Sequence, residues 1–492
     1  MSFSLKDKTI SGLSWSFIDN ISNQGINFVI GIVLARILSP GEFGIFGILL
    51  VFIAISNIFV DSGLSQALIR KECSKKDYDT AFVFNIVIGL IFYGILFFFA
   101  PLVAVFFSQP HIVSLLRAIG IIVIINSFGL VQYTILIKRV AFKTQTKISI
   151  LSSLCGGIVG IYLAYDGYGV WALVGKQIVY QIFQTILLWI YVKWKPAFEF
   201  NKISFKYLFK FGSKLLISGL IDTIYKNVVY LVIGKKFPTA ELGYYTRSEQ
   251  YSGIASNNIT TTIQRVSYPI LSTIADEKKL RRAFKKMTSI VMYISFVLMF
   301  GMAACAKPLI LTLIGDKWIP SIVMLQLLCF SQMLYPFHAL NLNILNVKGR
   351  SDLFLRVEII KKLLLVPFIC LGLFWSIKAM LMGFILYSIL CVFINAFYTR
   401  VLLGIRIITQ LRNILMPFLT GLSLFLFLCI LSKLLTFASV INLTVLILAG
   451  MFFMICSGEF FKNKEYLELK NIVLQKINQL REKIYFSNIS EK

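Results

Sequence analysis

Residues 33–46 read VLARILSPGEFGIF, and residues 232–245 carry a related version of this segment, VIGKKFPTAELGYY. Each copy has a basic residue, a turn that contains proline, and then Glu, an apolar residue and Gly. At an offset of 199 residues the shared acidic and glycine positions align, Glu42 with Glu241 and Gly44 with Gly243. Such self-similarity predicts a chain built from two structural repeats.

The composition predicts that these repeats lie in a membrane. The chain has 492 residues, of which 58% are hydrophobic and 14% are charged. Its mean hydropathy is +0.82. A water-soluble protein of this size could not bury so much apolar surface. The sequence therefore excludes a cytosolic enzyme, a secreted disulfide scaffold and a disordered chain, and predicts an all-α polytopic membrane protein.

Fourteen apolar runs are long enough to cross a bilayer as helices. They cover residues 13–38, 42–64, 80–107, 112–137, 148–165, 169–192, 208–233, 241–266, 285–306, 319–345, 354–374, 376–399, 411–433 and 437–457. PLVAVFF, from Pro101, resembles PLILTLI, from Pro308, so the repeat offset grows to 207. Runs one to six thus match runs seven to twelve, and the last two are additions.

The positions of the basic residues predict the topology of these spans. The chain has 49 Lys and Arg against 22 Asp and Glu, a net charge of +27. Most of the cations fall in the N-terminus, the even-numbered loops and the C-terminus. The odd-numbered connections hold few, namely Arg36, Lys235, Lys236, Lys307, Lys317, Lys378 and Lys433. This asymmetry predicts that both termini are cytoplasmic. The basic excess is then mostly topology, and no nucleic-acid partner is predicted.

Four regions follow from the repeats. Residues 1–198 form an N-terminal six-helix lobe, 199–402 a C-terminal six-helix lobe, 403–459 the two extra spans, and 460–492 a cytoplasmic amphipathic tail. Apolar residues recur at helical spacing in that tail. It is compatible with a helix on the inner membrane surface and equally with a helix that contacts the rest of the protein.

The segment LARILSPGEFGIFGI (34–48), followed by DSGLSQALIRKE (61–72), resembles the polysaccharide flippases. These belong to the multidrug/oligosaccharidyl-lipid/polysaccharide exporter superfamily, which also contains the MATE multidrug exporters. The nearest resemblance is to Wzx-type flippases for O-antigen, capsule or exopolysaccharide repeat units. The likeness covers nearly the whole chain, including the six-plus-six halves, the two extra spans and the basic inner loops.

The resemblance implies a V-shaped, MATE-like fold with two pseudo-symmetric lobes that works by alternating access. It implies movement of an undecaprenyl-pyrophosphate-linked oligosaccharide from the inner to the outer leaflet of a bacterial inner membrane. The implied partners are this lipid-linked substrate, the membrane lipids and the glycan polymerase or export machinery.

Polar residues recur on one face of the first span and on the equivalent face of the seventh. The two sets are Ser16, Asp19, Asn23 and Asn27, and Lys214, Ser218, Asp222 and Lys226. Spacings of three and four place each set on one helical face, and the repeat offset aligns Asn23 with Asp222. Each charge at the centre of a span costs about 2.5–3.5 kcal/mol on insertion scales. These faces therefore contact protein or water. They either line a hydrated cavity or bind residues of their own and neighbouring helices.

Span eight adds further polar groups, among them Arg247, Tyr251, Asn258 and Arg265. Arg247 and Arg265 lie near opposite ends of this span, so each either lines a cavity or extends its guanidinium to the nearer interface. A cavity that contained these residues and the two stripes would carry excess positive charge. Such a cavity would attract the pyrophosphate of a lipid-linked sugar.

The acidic residues of the stripes suggest a second role. Asp19 and Asp222 are candidates for coupling export to a proton or sodium gradient. The sequence contains no phosphate-binding glycine loop, no nucleophile elbow and no HExxH motif. No catalytic site, metal site or bound cofactor is predicted, and the chain is expected not to be an enzyme.

Several functions compete with the repeat-unit flippase. A cation-coupled multidrug exporter of the same superfamily would normally stop at twelve spans and favour acidic and aromatic groups. A flippase for lipid-linked peptidoglycan precursors differs only in its substrate. A membrane scaffold for glycan polymerisation would have no need of two matched polar stripes.

Overall fold

The computed structural model describes residues 22–70, 72–435, 437–471 and 474–475, and all the regular structure in these ranges is helical. The first nine helices are α1 (22–37), α2 (Pro40–Asp61), α3 (Leu64–Arg70), α4 (Lys75–Phe107), α5 (Ile112–Lys138), α6 (Phe142–Tyr165), α7 (Val170–Tyr191), α8 (Lys202–Lys236) and α9 (Thr239–Ser272). The predicted all-α fold class is confirmed.

The remainder continues as α10 (Glu277–Ala304), α11 (Ala306–Leu313), a 3-10 turn (Asp316–Trp318), α12 (Ser321–Gln332), α13 (Tyr335–Val347), α14 (Ser351–Phe374), α15 (Ile377–Leu403), α16 (Ile407–Leu434), α17 (Ser439–Phe460) and α18 (464–471). By packing, the chain divides into two compact units between Thr246 and Arg247, inside α9. The predicted boundaries at residues 198, 402 and 459 refer to sequence repeats and stay predictions.

Within the described ranges, eleven helical segments are long and apolar enough to cross a membrane, with α12 and α13 counted as one. Each of the fourteen predicted spans coincides with a helix. Three of these helices fall outside the eleven. The helix α1 is described only from residue 22, α9 is rich in polar residues, and α14 carries four charged side chains between residues 356 and 362. The protein is a multi-pass membrane protein, and the count of fourteen and the side of the termini stay predictions.

The turn between α1 and α2 is fixed by local hydrogen bonds. The backbone amide of Ser39 donates to the Glu42 carboxylate at 2.6 Å, and the Ser39 hydroxyl donates to the same oxygen at 2.9 Å. Pro40 occupies the first turn of α2, where its missing N–H costs nothing. The SPGE sequence thus sets where α2 begins.

In the first unit, α2 and the start of α9 approach each other through glycine. A Cβ added to Gly44 would overlap the carbonyl of Thr239, and a Cβ added to Gly243 would overlap the carbonyl of Pro40. At the 199-residue offset Gly44 is equivalent to Gly243, and Pro40 to Thr239. The contact is therefore reciprocal, as expected for two repeats related by a local twofold axis.

The next turn of the same helices repeats this relation. Gly47 is equivalent to Thr246 at the repeat offset, and the two residues face each other. A Cβ on Gly47 would lie 3.2 Å from the Thr246 methyl group. Small residues on successive turns let the two backbones approach closely, as membrane helices that pack tightly require.

In the second unit, the described part of the tail lies against the protein. Its contacts are Glu465 with Ser289, Glu468 with Lys286 at 3.1 Å, and Lys470 with Glu459. The hydrogen bond to the Glu459 carboxylate raises the pKa of Lys470 above its ordinary value. Residues 463–471 therefore use polar contacts with α10 and α17, and the rest of the predicted amphipathic stretch, apart from residues 474–475, lies outside the described residues.

Replacing Gly44 with Ala should destabilise the folded protein, because the new Cβ would overlap the backbone at Thr239. Overpacking of this kind costs about 1–3 kcal/mol. We expect a lower melting temperature of the purified protein in detergent. Gly94→Ala is the matched control, since nothing lies within 4 Å of that helical glycine. Equal melting temperatures for both variants would contradict the close contact.

Candidate functional site

The predicted polar stripe of the seventh span lies on α8. Lys214, Ser218 and Lys226 are exposed on the protein surface, and Asp222 is half-buried. Only 11% of the apolar window of this helix is buried inside the protein. Within the described ranges, neither Lys214 nor Lys226 forms an ion pair with a carboxylate. No ion pair between Lys226 and Asp222 forms among the described residues, and both explanations of the stripe stay predictions.

The surroundings of these two lysines depend on how deep they lie in the predicted span. Lys214 is six residues from the inner end of the predicted span 208–233, and Lys226 is seven residues from the outer end. At a rise of 1.5 Å per residue, both lie about 9–10 Å inside the span. Because hydrocarbon does not solvate an ammonium group, each lysine at this predicted depth needs water, an anionic ligand or extension of its stem to the nearer interface.

The stripe of the first span is described only in part. Asp19 lies outside the described residues, whereas Asn23 and Asn27 are half-buried on α1. Asn27 donates to the backbone carbonyl of Asn23 at 2.9 Å, and the Asn23 side chain accepts from Ser153 of α6 at 3.2 Å. Asn23 therefore binds a neighbouring helix, which was the alternative to a place in the cavity wall.

The four predicted residues of α9 fall into two environments. Arg247 is 9% exposed and hydrogen-bonds Gln250, and Tyr251, one turn on, is 4% exposed. Asn258 is half-buried and donates to the carbonyl of Ile254 at 2.7 Å. Arg265 is exposed. Because an arginine that extends to the interface is solvated, the burial of Arg247 favours a role inside the protein, and Arg265 remains open to either explanation.

Sequence reasoning missed a partly buried ion pair in α14 of the second unit. Lys361 is 9% exposed, and its ammonium lies 2.5 Å from the Glu358 carboxylate. Removal of one partner from such a pair leaves an uncompensated charge in a poorly solvated site. The i, i+3 spacing of opposite charges within an apolar run was the signal that would have found the pair.

A second missed group surrounds His338 of α13. Its Nε2 lies 3.3 Å from the Ser388 hydroxyl, and its Nδ1 lies 3.0 Å from the Asn395 amide nitrogen, both in α15. The imidazole is therefore held by two polar neighbours. These contacts connect α13 to α15.

A third feature that sequence reasoning missed is a polar cavity of about 500 Å³ in the second unit. Its lining comes from two helices and the turn that follows the second, namely Gln264, Tyr268, Asn343, Asn346, Gly349 and Ser351. Nearly eighty residues separate the two segments, so no local pattern in the sequence joins them.

Comparison with known proteins identifies the family. Residues 33–323 match the family described as "Polysaccharide biosynthesis protein", and the chain belongs to this family. It is 27% identical to the teichuronic acid biosynthesis protein TuaB of Bacillus subtilis, over 71% of this chain and 73% of TuaB. It is 25% identical to the succinoglycan biosynthesis transport protein ExoT of Rhizobium meliloti, over 66% of each chain.

A third relative bears on the resemblance stated above. The lipopolysaccharide biosynthesis protein WzxC of Escherichia coli is 25% identical, over 75% of this chain and 76% of WzxC. The resemblance to Wzx-type proteins is confirmed.

Solved structures define the fold. The protein is similar to the lipid II flippase MurJ in an inward closed conformation, with a TM-score of 0.72, 14% identity and coverage of 92% of this chain and 99% of MurJ. It is also similar to an inward-facing multidrug resistance MATE family transporter, with a TM-score of 0.60, 15% identity and coverage of 78% and 94%. The predicted MATE-like fold of the exporter superfamily is confirmed.

Replacing Lys361 with Met should destabilise the protein, since the half-buried Glu358 would be left as an unpaired charge. Breaking a fully buried pair costs about 3–5 kcal/mol, and the partial exposure of Glu358 should make the loss smaller. The double variant Glu358→Gln/Lys361→Met should regain much of the lost stability, because neither charge remains. Thermal unfolding in detergent measures both, with the exposed Lys307→Met as control. A double variant no more stable than the single one would contradict a coupled pair.

Proposed function

We propose that this protein is a flippase that moves undecaprenyl-pyrophosphate-linked oligosaccharide repeat units from the inner to the outer leaflet of a bacterial inner membrane by alternating access. The repeat units would belong to O-antigen, capsule or exopolysaccharide. The observation that carries this proposal is the exposed face of α8, on which Lys214 and Lys226 lie inside a predicted span without a carboxylate partner among the described residues.

Charge chemistry supports a pyrophosphate ligand for this face. A pyrophosphate diester carries negative charge on two adjacent phosphates, and each lysine presents three donors at the end of a flexible stem. The attraction grows as the local dielectric falls, so the ligand would be held more firmly at this depth than at the surface. Exposed Ser218 adds a hydroxyl one turn after Lys214. Lys226 lies twelve residues, about 18 Å, from Lys214 along the helix, so each lysine would hold the pyrophosphate at a different stage of its passage. In the second unit, Arg265 on α9 is an exposed cation.

Family membership supports the substrate class. TuaB, ExoT and WzxC are named for teichuronic acid, succinoglycan and lipopolysaccharide biosynthesis, and ExoT is named as a transport protein. The common element is a polysaccharide, and the resemblance to Wzx-type flippases implies that its repeat units are linked to a lipid carrier. A glycan polymerase or export machinery would receive the flipped unit, which makes these proteins candidate partners.

The competing functions predict different ligands. A multidrug exporter binds cationic, apolar compounds, which the lysine face of α8 would repel. A peptidoglycan-precursor flippase would bind the same carrier with a different sugar. A scaffold for polymerisation would bind no ligand at the exposed lysines, so it would not explain why charged residues lie inside a predicted span. The lysine face therefore favours an anionic, lipid-linked substrate.

Replacing Lys226 with Ala should abolish surface glycan while the protein remains in the membrane, because the pyrophosphate loses a charge partner. Lys214→Arg should be milder, since it keeps the charge. The measurement is glycan display in a deletion strain complemented with each variant, with membrane protein level determined by immunoblot. Lys307→Ala, an exposed cation outside the stripe, is the matched control. Full display with Lys226→Ala would rule out a charge role for this lysine.

The deletion strain itself separates the candidate functions. Repeat units trapped on the inner leaflet, together with loss of surface polysaccharide, would support the flippase. Normal leaflet distribution and intact glycan, accompanied by new drug sensitivity, would support the multidrug exporter. Trapped peptidoglycan precursors would identify the third alternative.

Coupling to an ion gradient is a further part of the proposal. Asp222 on α8, with Asp19 at a separate position on the first span, would take up a proton or sodium ion during each cycle. Asp222→Asn should slow transport and remove its response to an imposed pH or sodium gradient in proteoliposomes. An unchanged gradient response would exclude Asp222 from coupling.

A further inference from the structure

The polar cavity of the second unit has the features of a carbohydrate site. We infer that it binds a sugar of the lipid-linked repeat unit. This inference rests on the proposed function and deepens it, because it concerns how the glycan rather than the carrier is recognised. The volume of about 500 Å³ lies within the range of about 300–1,000 Å³ that is usual for small-ligand sites.

The lining groups are uncharged and free to bind. The side chains of Gln264, Tyr268, Asn346 and Ser351 are exposed, and within the described ranges none of them donates or accepts a side-chain hydrogen bond in the protein. Amide side chains present both donors and acceptors. A pair of neighbouring sugar hydroxyls requires this mixture, since each hydroxyl also donates and accepts.

One wall of the cavity is rigid. Asn343 is 7% exposed, and its amide nitrogen donates to the buried Ser267 hydroxyl at 2.6 Å and to the Gln264 carbonyl at 3.4 Å. These two bonds fix the orientation of the amide and use its donors. Its oxygen is left to accept from a ligand, because no donor in the described part of the chain bonds to it.

Two cations that neighbour the lining residues in sequence are neutralised within the protein. Lys348 forms an ion pair with Glu277 at 3.0 Å. Arg350 donates twice to Asp352, at 2.9 and 2.8 Å. The hydrogen bond from Arg350 lowers the pKa of the Asp352 carboxyl to about 2. With both cations paired, the lining offers hydrogen bonds without net charge, which suits a neutral, polyhydroxylated ligand.

An aromatic ring completes the site. Tyr268 is 46% exposed and lies one helical turn after Gln264 on α9. A pyranose presents an apolar face of C–H groups, which packs well on an exposed aromatic ring. The ring and the amides together match the two kinds of surface that a sugar carries.

The predicted location of the cavity fits the uptake of substrate from the inner leaflet. The loop between spans ten and eleven, which contains Gly349 and Ser351, is predicted to be cytoplasmic, and repeat units await transport at the inner leaflet. Arg265 directly follows Gln264 in α9. A sugar in the cavity and a pyrophosphate at Arg265 would then belong to one substrate, in which they are covalently joined.

Two probes test the inference with full-length protein in nanodiscs. One is undecaprenyl pyrophosphate without sugar, and the other is the same carrier with the repeat unit, extracted from a strain that lacks the gene. We expect the wild type to bind the glycosylated carrier about tenfold more tightly, the equivalent of two or so net hydrogen bonds. Gln264→Ala/Asn346→Ala should reduce this preference to nearly none and leave affinity for the bare carrier within about twofold.

Substitutions of the tyrosine separate stacking from folding. Tyr268→Ala should lose the preference for the glycosylated carrier, and Tyr268→Trp should restore it, because the larger ring keeps an aromatic surface. Tyr165→Ala is the matched control, since this tyrosine is exposed and outside the cavity. Melting temperatures identify any variant that fails to fold.

The outcomes distinguish this inference from the proposed function. Lys226→Ala should weaken binding of both probes, whereas the cavity variants should affect only the glycosylated one. A wild type that binds both probes equally, or cavity variants that keep the full preference, would overturn the sugar site and leave the flippase intact. A wild type that binds neither probe would overturn both.

Discussion

The constraint on which this structure depends is that polar groups inside a bilayer must find a partner in the protein, in water or in a ligand. The backbone meets it by forming helices throughout the described ranges, because each helix satisfies its own amides and carbonyls. Side chains meet it in two ways. Lys361 is buried and paired with Glu358, whereas Lys214 and Lys226 are exposed without a carboxylate partner in the described part of the chain. The first arrangement is compatible with structure alone, and the second, in our proposal, places the lysines on an aqueous face where they bind an anion.

Two kinds of recognition thus divide between two sets of residues. The ammonium groups on α8 attract an anion by their charge and impose little geometric selectivity. This suits the pyrophosphate that every substrate of this kind shares. The amides around Asn343 have no charge and demand a particular arrangement of hydroxyls, which suits the part of the substrate that varies. A site that hydrogen-bonds specific hydroxyls discriminates strongly against ligands that lack them. In this proposal the carrier provides common affinity, and the first sugars provide selectivity.

Much of the fold could be predicted from the sequence, and less of the site. Apolar runs located the helices because span length and hydropathy are local properties. The repeat aligned Gly44 with Gly243, but equivalence in sequence does not establish contact, so their reciprocal packing against Thr239 and Pro40 needed coordinates. The burial of Arg247 could not be predicted either, since its distance from the end of the span fits both a buried and an interfacial guanidinium. The cavity could not be predicted because Gln264 and Asn343 are far apart in the sequence, and neither residue by itself indicates a binding site.

The reciprocal glycine contact has a consequence for the ancestry of such a chain. Gly44 packs against Thr239, and its equivalent Gly243 packs against Pro40, which is the equivalent of Thr239. The contact surface of one repeat is therefore complementary to itself. A polypeptide that carried a single repeat could have made the same contact with a second identical copy, as subunits of symmetric homodimers do. In such a homodimer every substitution changes the contact surface of both subunits at the same time. Joining two copies in one gene removes that coupling, so that Pro40 and Thr239, or Gly47 and Thr246, are able to diverge while the glycines between them stay the same.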